Sequence, residues 1–557
     1  MTMTKVCFIT GGVLSGLGKG ITTAAIGKLL QFRGFHVDVI KIDPYLNVDP
    51  GTLNPIEHGE VFITDEVWDF NPAPGFIYRI AEIDQDAGTY ERFLDHPFHP
   101  SQNITSGQIY LSVIVHERVG KFLGRTIQIV PHITDEVKSR IRNIAKKENP
   151  DVLLIEIGGT VGDIEAMPFL EAIRQLRLEL SEHDTCLVHV TLIPYLDSVG
   201  QLKSKPTQHS VRTLQGMGLQ PDIIVGRARE SLSEEIKHKI SLYCSVPEKA
   251  VISNPDLSLI YDLPLYFEQQ NMGNYLCSLL KLSYDCKPAT EDWTEMVNLF
   301  KNATRTINIA MPGKYTSIID SYVSINYALQ DAGAHLDAKV NINWIDTEAI
   351  EENPDKIRVL DSCDGCLLTP GFGSRGVEGM IQTASYAIQK NIPYLGICFG
   401  AQLLTVAFAR NVMGWKEAHT TEVDAETQLP VIDFLPEQKI IQEKGGTMRL
   451  GAHKIIIQEG TKLWDAYHQS VIHERFRHRY HIIEEYTGQM KEKGFITSAY
   501  DDTGKIVNAV EIADHPFCVG VQFHPEYTSR PNRPNPLYFA FIKHALERST
   551  LRTNANE

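Results

Sequence analysis

The sequence predicts an α/β protein built from two parallel-sheet domains in series, and three observations carry that prediction. Short β-branched runs alternate with helical patterns, the first run opens into a glycine-rich loop and a helix, and a later run ends in a Gly-x-Cys-x-Gly turn before another helix. Parallel strands cannot be joined by a tight turn, so each needs a crossover of helical length, and that requirement produces the alternation.

Runs at 6–10, 36–42, 151–157, 185–193 and 222–225 predict the first sheet. A second series starts at Ile307 and continues through 340–345, 365–368, 393–397 and 517–523. Between them, 286–305 is polar and helix-like without a clear apolar strand, which suits a linker. The expected organisation is a first domain over 1–285, a linker over 286–305, a second domain over 306–548 and a disordered tail over 549–557. A chain of 557 residues is too long for one hydrophobic core, in keeping with that division.

Composition narrows the function. Apolar residues at 43% and charged residues at 22% are ordinary for a globular protein. The net charge of −16 repels nucleic acid and anionic lipid, so any polyanionic ligand must be held by local basic clusters. Nine scattered cysteines form no framework, which predicts a reducing, cytoplasmic setting without disulfides. Cys363 and Cys366 have metal-ligand spacing, but no second pair exists and both lie in an apolar run, so they read as strand residues. The N-terminus lacks the pattern of a secretory signal, and no stretch approaches the ~20 apolar residues that span a bilayer, so no membrane association is expected.

After the first strand, residues 10–20 read Thr-Gly-Gly-Val-Leu-Ser-Gly-Leu-Gly-Lys-Gly, followed by a helical pattern. Glycines let such a loop turn its backbone N–H groups around phosphate oxygens, the helix N-terminus adds partial positive charge, and Lys19 supplies a full one. A strict phosphate-binding loop would have Gly at Val13 and Ser or Thr at Gly20, so a ligand-free glycine turn remains the alternative. Phosphoryl transfer also calls for Mg²⁺, which favours carboxylates. Glu156 ends an apolar strand, at the ligand edge of a parallel sheet, and Asp86 lies in the acidic stretch 82–86. Residues 203–209, Lys-Ser-Lys-Pro-Thr-Gln-His, form a compact reader of anions and carbonyls, although two lysines in a loop are usually surface.

In the second series, an apolar strand runs into Gly396-Ile397-Cys398-Phe399-Gly400 and then a helix. Small flanking residues permit the strained turn that exposes a nucleophile, and the helix N-terminus favours thiolate. Farther on, Gln522-Phe523-His524-Pro525-Glu526 follows a strand. In extended backbone, residues two apart point the same way, so Glu526 is expected to hold the imidazole of His524 while that ring serves Cys398. Such a set attacks an amide, forms a thioester and releases ammonia. Gly371 and Phe399 are the expected backbone donors to the oxyanion.

These motifs resemble two known groups. The Cys, His, Glu order is similar to the class I glutamine amidotransferases, and the first half resembles the amidoligase domain of the CTP synthase family, a dethiobiotin-synthetase-like fold with a phosphate-binding loop. The stretches that carry the likeness are IDPYLNVDPG (42–51), EHGEVF (57–62), VPHIT (130–134), EIGGTVGDIE (156–165), 203–211, PEKAVIS (247–253), RGVEGM (375–380), GGTMRLGA (445–452), RHRY (477–480) and 522–526. The resemblance implies a carbon–nitrogen ligase: ATP phosphorylates the 4-oxygen of UTP, ammonia from L-glutamine displaces the phosphate, and CTP leaves with ADP and phosphate.

It also implies roles for particular residues. Ser15, Gly16, Leu17, Gly18, Lys19 and Gly20 cradle ATP, Lys41 assists its phosphates, and Asp86 with Glu156 binds Mg²⁺. Lys203, Ser204, Lys205, Pro206, Thr207, Gln208 and Lys239 hold UTP, with Ser15 also placed at that site, and Asp163, Ile164 and Glu165 belong to the site where CTP inhibits. Gly371, Phe399, Gly400, Ala401, Gln402, Glu422 and Arg479 hold glutamine, Arg375 senses GTP as activator, and Pro55, His58 and Val61 line the passage for ammonia. The family implies a homotetramer, with filament formation left open.

The chain departs from the family pattern in places. Residues 64–81 form an aromatic, proline-containing insertion where relatives have a shorter acidic loop, His96 and His99 stand where relatives carry basic residues, and Pro370 and Ser374 replace a common glycine and a common aromatic. Two other readings compete: a cobyrinate-type amidase-ligase, opposed by the 203–208 cluster, and a nucleotide switch or a filament-forming relative without catalysis, opposed by the complete Cys398, His524, Glu526 set.

Overall fold

The computed structural model describes residues 4–198, 200–284, 287–314, 319–436, 438 and 446–556. Cys286 at the start of the expected linker, Gly445 of the 445–452 stretch and Glu557 of the expected tail lie outside them. The chain forms two compact units, one of Met1–Pro50 with Trp68–Val297 and one of Gly51–Val67 with Asn298–Glu557. The boundary therefore differs from the expected one, because 51–67 groups with the second unit.

In the first unit, seven strands among the described residues form one parallel sheet. Its order is Val251–Pro255, Ile223–Ala228, Thr185–Leu192, Lys5–Gly12, Val152–Ile157, Val37–Asp43 and Asn103–Thr105. Every residue of Val37–Asp43 and Val152–Ile157 is buried, as expected of central strands covered on both faces. Phe8, Ile40, Leu153 and Ile155 pack with Phe169 and Ile173 of the helix Met167–Glu179. The aromatic insertion is a β-hairpin, Val61–Ala73 against Phe76–Asp84, turned at Gly75 with φ +91°. The guanidinium of Arg140 lies 4.8 Å from the centre of the Phe70 ring, clamping the hairpin to the helix Thr134–Glu148.

The expected linker is packed rather than free. The helix Glu291–Asn302 buries Trp293, Met296 and Val297, and Trp293 donates Nε1–H to the Tyr261 carbonyl at 2.7 Å beside the rings of Phe32 and Phe93. Three apolar residues in one helical turn and a half suffice to dock it.

In the second unit, parallel strands run in the order Ala338–Asp346, Arg305–Gly313, Gly365–Leu368, Tyr394–Ile397 and Cys518–Val521. The sheet continues with strands the sequence reading did not place, beginning with Val507–Ile512 antiparallel to Cys518–Val521. The tail expectation is also corrected. The helix Pro536–Asn556 carries through it, because Leu537, Tyr538, Phe541, Ile542 and Ala545 are buried at helical spacing. Arg552 then ties the last turns to the Ser362 carbonyl and to Asp364, each at 2.9 Å.

The eight cysteines described are buried and unbridged, Cys366 within the strand Gly365–Leu368. Among the described residues no helix is long and apolar enough to cross a membrane.

Candidate active sites

The first site lies where Lys5–Gly12 ends. The loop passes through left-handed backbone at Val13 (φ +87°), Gly16 (φ +72°) and Gly18 (φ +77°), and Gly18 caps the helix Lys19–Gln31. Ser15 and Gly16 are exposed, Leu17 is buried, and Lys19 donates from Nζ to the Gly159 carbonyl at 2.8 Å, with burial lowering its pKa. Gly20 has no room for a side chain, since a Cβ there would stand 2.2 Å from Asp86 Oδ1. That contact brings the loop and Asp86, the first residue of the helix Asp86–Leu94, together.

Lys41, near the end of Val37–Asp43, is surrounded by acids. Its Nζ bonds Asp86 and reaches Glu156 Oε1 at 3.2 Å, Asp84 Oδ1 at 3.4 Å and Asp43 Oδ1 at 3.8 Å. Glu156 also accepts from Thr23 Oγ1 at 3.1 Å and from the Tyr90 hydroxyl. Burial opposes the charge on Lys41, but these acids outweigh it and hold its pKa well above the usual value. Burial first and like charge second push Asp43 up to about 8. Among the described residues no group of three or more His, Cys, Asp or Glu side chains is arranged to hold a metal ion, and the carboxylates here converge on the ammonium. Asp43, Asp84, Thr23 and Tyr90 had no assigned role; Asp43 does lie in the 42–51 stretch and Asp84 in the acidic run with Asp86.

A cavity of about 420 Å³ collects five of the residues expected to hold UTP: Lys203, Ser204, Lys205, Gln208 and Lys239. Gln208 donates to Ser204 Oγ at 3.1 Å, while its Oε1 is buried without a protein partner. Pro206 and Thr207 do not line this cavity. Thr207 is buried, its hydroxyl donating to the Leu192 carbonyl at 3.2 Å. Asp163, Ile164 and Glu165 form a separate turn, on which Ile164 is 84% exposed and Asp163 accepts from the Thr160 N–H at 2.8 Å.

In the second unit, Cys398 stands between the strand Tyr394–Ile397 and the helix Phe399–Asn411 at φ 52°, ψ −102°, a strained backbone for a residue with a side chain. The flanking glycines are required by space: a Cβ on Gly396 would meet the Gly400 carbonyl at 2.7 Å, and one on Gly400 would meet the Leu368 carbonyl at 2.3 Å. Gln522 donates from Nε2 to the thiol at 3.4 Å. His524 Nδ1 is 2.7 Å from Glu526 Oε1, as expected, although the route differs. The strand stops at Val521, and Glu526 sits in the short turn Pro525–Thr528, because Pro525 cannot continue the ladder.

His524 Nε2 is buried without a hydrogen bond of ordinary geometry. Burial disfavours the ring's charged form, but the Glu526 charge, the nearby Cys398 sulfur and the hydrogen bond to Glu526 outweigh it and push its pKa up to about 10. The Tyr527 ring stacks on His524 with centroids 5.3 Å apart, and its hydroxyl donates to the Val61 carbonyl at 3.1 Å. Val61 of the expected passage is thus linked to the histidine through Tyr527. His58 is exposed, and the side chain of Pro55 lies outside the described residues.

The remaining expected residues of this unit are each held by hydrogen bonds. Glu422 accepts the Gly373 N–H at 2.8 Å, and Gln402 donates to the Tyr480 carbonyl at 3.1 Å and to Gln522 Oε1 at 3.0 Å. Arg479 donates to Gln438 Oε1 at 2.9 Å and Thr447 Oγ1 at 2.8 Å, and Arg375 pairs with Glu348 at 2.9 Å while donating to the Lys314 carbonyl at 2.7 Å. Gly400 and Ala401 lie in the first turn of the helix after the thiol. Lys314 gave no sequence signal, yet it contacts the Gly371 turn, and burial lowers its pKa to about 8.

Comparison with known proteins matches two families in series along the chain. Residues 5–282 match the family described as CTP synthase N-terminus, and residues 317–544 match glutamine amidotransferase class-I. A CTP synthase of Bacillus licheniformis is 45% identical over 98% of this chain and 99% of its own, and one of Archaeoglobus fulgidus is 49% identical over 98% of each. The structure of the Trypanosoma brucei CTPS glutaminase domain with bound acivicin is 32% identical, covering 43% of this chain and 94% of that one at a TM-score of 0.41.

Proposed function

The chain belongs to the CTP synthase family, and from that premise we propose that its first unit aminates UTP at position 4 using ATP while its second releases the ammonia from L-glutamine. The observation that carries the reading is the strained Cys398 elbow served by a buried His524 and Glu526 pair 2.7 Å apart.

In the glutaminase reaction, the Cys398 sulfur attacks the amide carbon and His524 passes a proton to the departing nitrogen. The backbone N–H groups of Gly371 and Phe399 receive the oxyanion, and water then cleaves the thioester to glutamate. Glu422, Gln402 and Arg479 hold the amino acid. In the synthetase reaction, the 4-oxygen of UTP takes the terminal phosphoryl group of ATP, and ammonia adds at carbon 4 as phosphate leaves with that oxygen. Residues 15–20 cradle the ATP phosphates, with Lys19 and Lys41 placed to neutralise them.

Four carboxylates facing one lysine, Asp43 and Glu156 buried and Asp84 and Asp86 half-buried, make a hard, oxygen-rich and over-negative site, which suits a magnesium ion. Asp86 and Glu156 would hold Mg²⁺, which supplies charge neutralisation between phosphates. The cavity with Lys203, Lys205, Gln208 and Lys239 takes UTP. CTP inhibits through it together with the turn at Asp163, Ile164 and Glu165, GTP acts through Arg375, and ammonia passes Pro55, His58 and Val61. The enzyme works as a cytoplasmic homotetramer.

The test is an ultraviolet assay of CTP formation from UTP, ATP and Mg²⁺ with either glutamine or ammonium. Cys398→Ala should lower the glutamine reaction by at least about 10³-fold and leave the ammonium reaction running. Loss of both reactions contradicts the division of labour, and a wild type that makes no CTP from either donor refutes the function.

A further inference from the structure

Lys314 follows the strand Arg305–Gly313, is only 7% exposed, and has no part in the chemistry above. A lysine is seldom buried unless its ammonium is fully used. Here it is spent on one turn. Nζ donates to the Phe372 carbonyl at 2.9 Å and to the Gly373 carbonyl, and the methylene stem passes Gly371, with Cδ 3.6 Å from where a Cβ there would stand. The ammonium also lies 4.6 Å from the centre of the Phe399 ring. One side chain therefore touches both residues whose N–H groups are to receive the oxyanion.

The rest of the turn is held as well. Glu422 accepts the Gly373 N–H at 2.8 Å, and the Tyr322 hydroxyl donates to the Pro370 carbonyl at 3.4 Å. A trans peptide points its N–H opposite to its carbonyl, so fixing the carbonyls of 370, 372 and 373 fixes the direction of the N–H groups at 371, 373 and 374.

We propose that Lys314 is a positioning residue of the glutaminase site: its ammonium pins the carbonyls of 372 and 373 while its stem backs Gly371, and, with Tyr322 on the 370 carbonyl, it holds the turn 370–373 in the conformation that lets the Gly371 N–H receive the oxyanion. The proposal rests on the reading of Cys398 as the glutaminase nucleophile. An oxyanion donor matters most when negative charge has developed, so its displacement falls on kcat rather than on KM.

The experiment measures glutamate release from glutamine, and separately the alkylation of Cys398 by iodoacetamide, in Lys314→Met, Lys314→Gln and Lys314→Arg. Alkylation needs the thiolate but no oxyanion donor. Lys314→Met should lose about 10²-fold or more in kcat, as for a missing oxyanion donor, with KM within about threefold and alkylation at the wild-type rate. Lys314→Arg, long enough to span two carbonyls, should recover to within about tenfold of wild type. A wild-type kcat in Lys314→Met, a raised KM at constant kcat, or alkylation lost in parallel would each overturn the proposal. Should the methionine variant fail to fold, the glutamine variant decides by the same criteria. A wild type that releases no glutamate but folds and makes CTP from ammonium sinks the reading of Cys398, and this proposal with it.

Discussion

His524 shows how one residue's surroundings become a measurable property. Its folded pKa of about 10 lies above the ordinary ~6.5, so the protonated ring contributes stability that is complete below about pH 6.5 and is lost as pH rises through about 10. In Glu526→Gln the opposing charge is gone, and burial pulls the pKa down against Cys398 alone, so the ring's contribution shrinks. Melting temperature should therefore fall more steeply between pH 7 and 10 in wild type than in the variant; equal slopes would show that the ring is neutral already. Glutamine hydrolysis in the variant should drop by about 10²–10⁴-fold.

At this scale the Cys398 elbow was legible because a side-chain-bearing residue at a strained turn demands glycines beside it. Lys314 was not, because its carbonyl partners are 58 and 59 residues away and a lysine after a strand has no signature of its own.

Among elements, the glycine-rich loop after the first strand is tightly constrained. Gly20→Ala places a methyl carbon where Asp86 now stands, so either the carboxylate or the helix start must move. CTP formation from ammonium should fall about tenfold or more with a raised KM for ATP, as measured by varying ATP at saturating UTP. Central parallel strands were readable because burial on both faces makes them continuously apolar, as in Val152–Ile157. The strand Val471–His478 was missed because it reads Val-Ile-His-Glu-Arg-Phe-Arg-His, with charged residues that find partners inside the fold: Arg475 bonds Asp65 at 2.6 Å, and Glu474 accepts from the Tyr467 hydroxyl at 2.7 Å. Period-two alternation is hidden when buried positions are polar.

Across the whole molecule, domain order was readable and domain edges were not. The segment expected to be a linker closes the first unit through Trp293, which is 6% exposed. Trp293→Ala should destabilise by about 3–5 kcal/mol, seen as a lower urea midpoint at unchanged slope. A free linker would show no change. The tail became a helix because a few buried apolar residues upstream nucleate it and arginines fasten it, whereas polar composition alone suggested disorder.

The interleaving of the two units sets a practical limit. A fragment starting at residue 298 would lack the Val61 carbonyl that receives Tyr527 and the Asp65 that receives Arg475. Such a fragment should melt lower than the same fragment supplied with the 51–67 peptide in trans, and equal melting temperatures would show that the segment adds no stability.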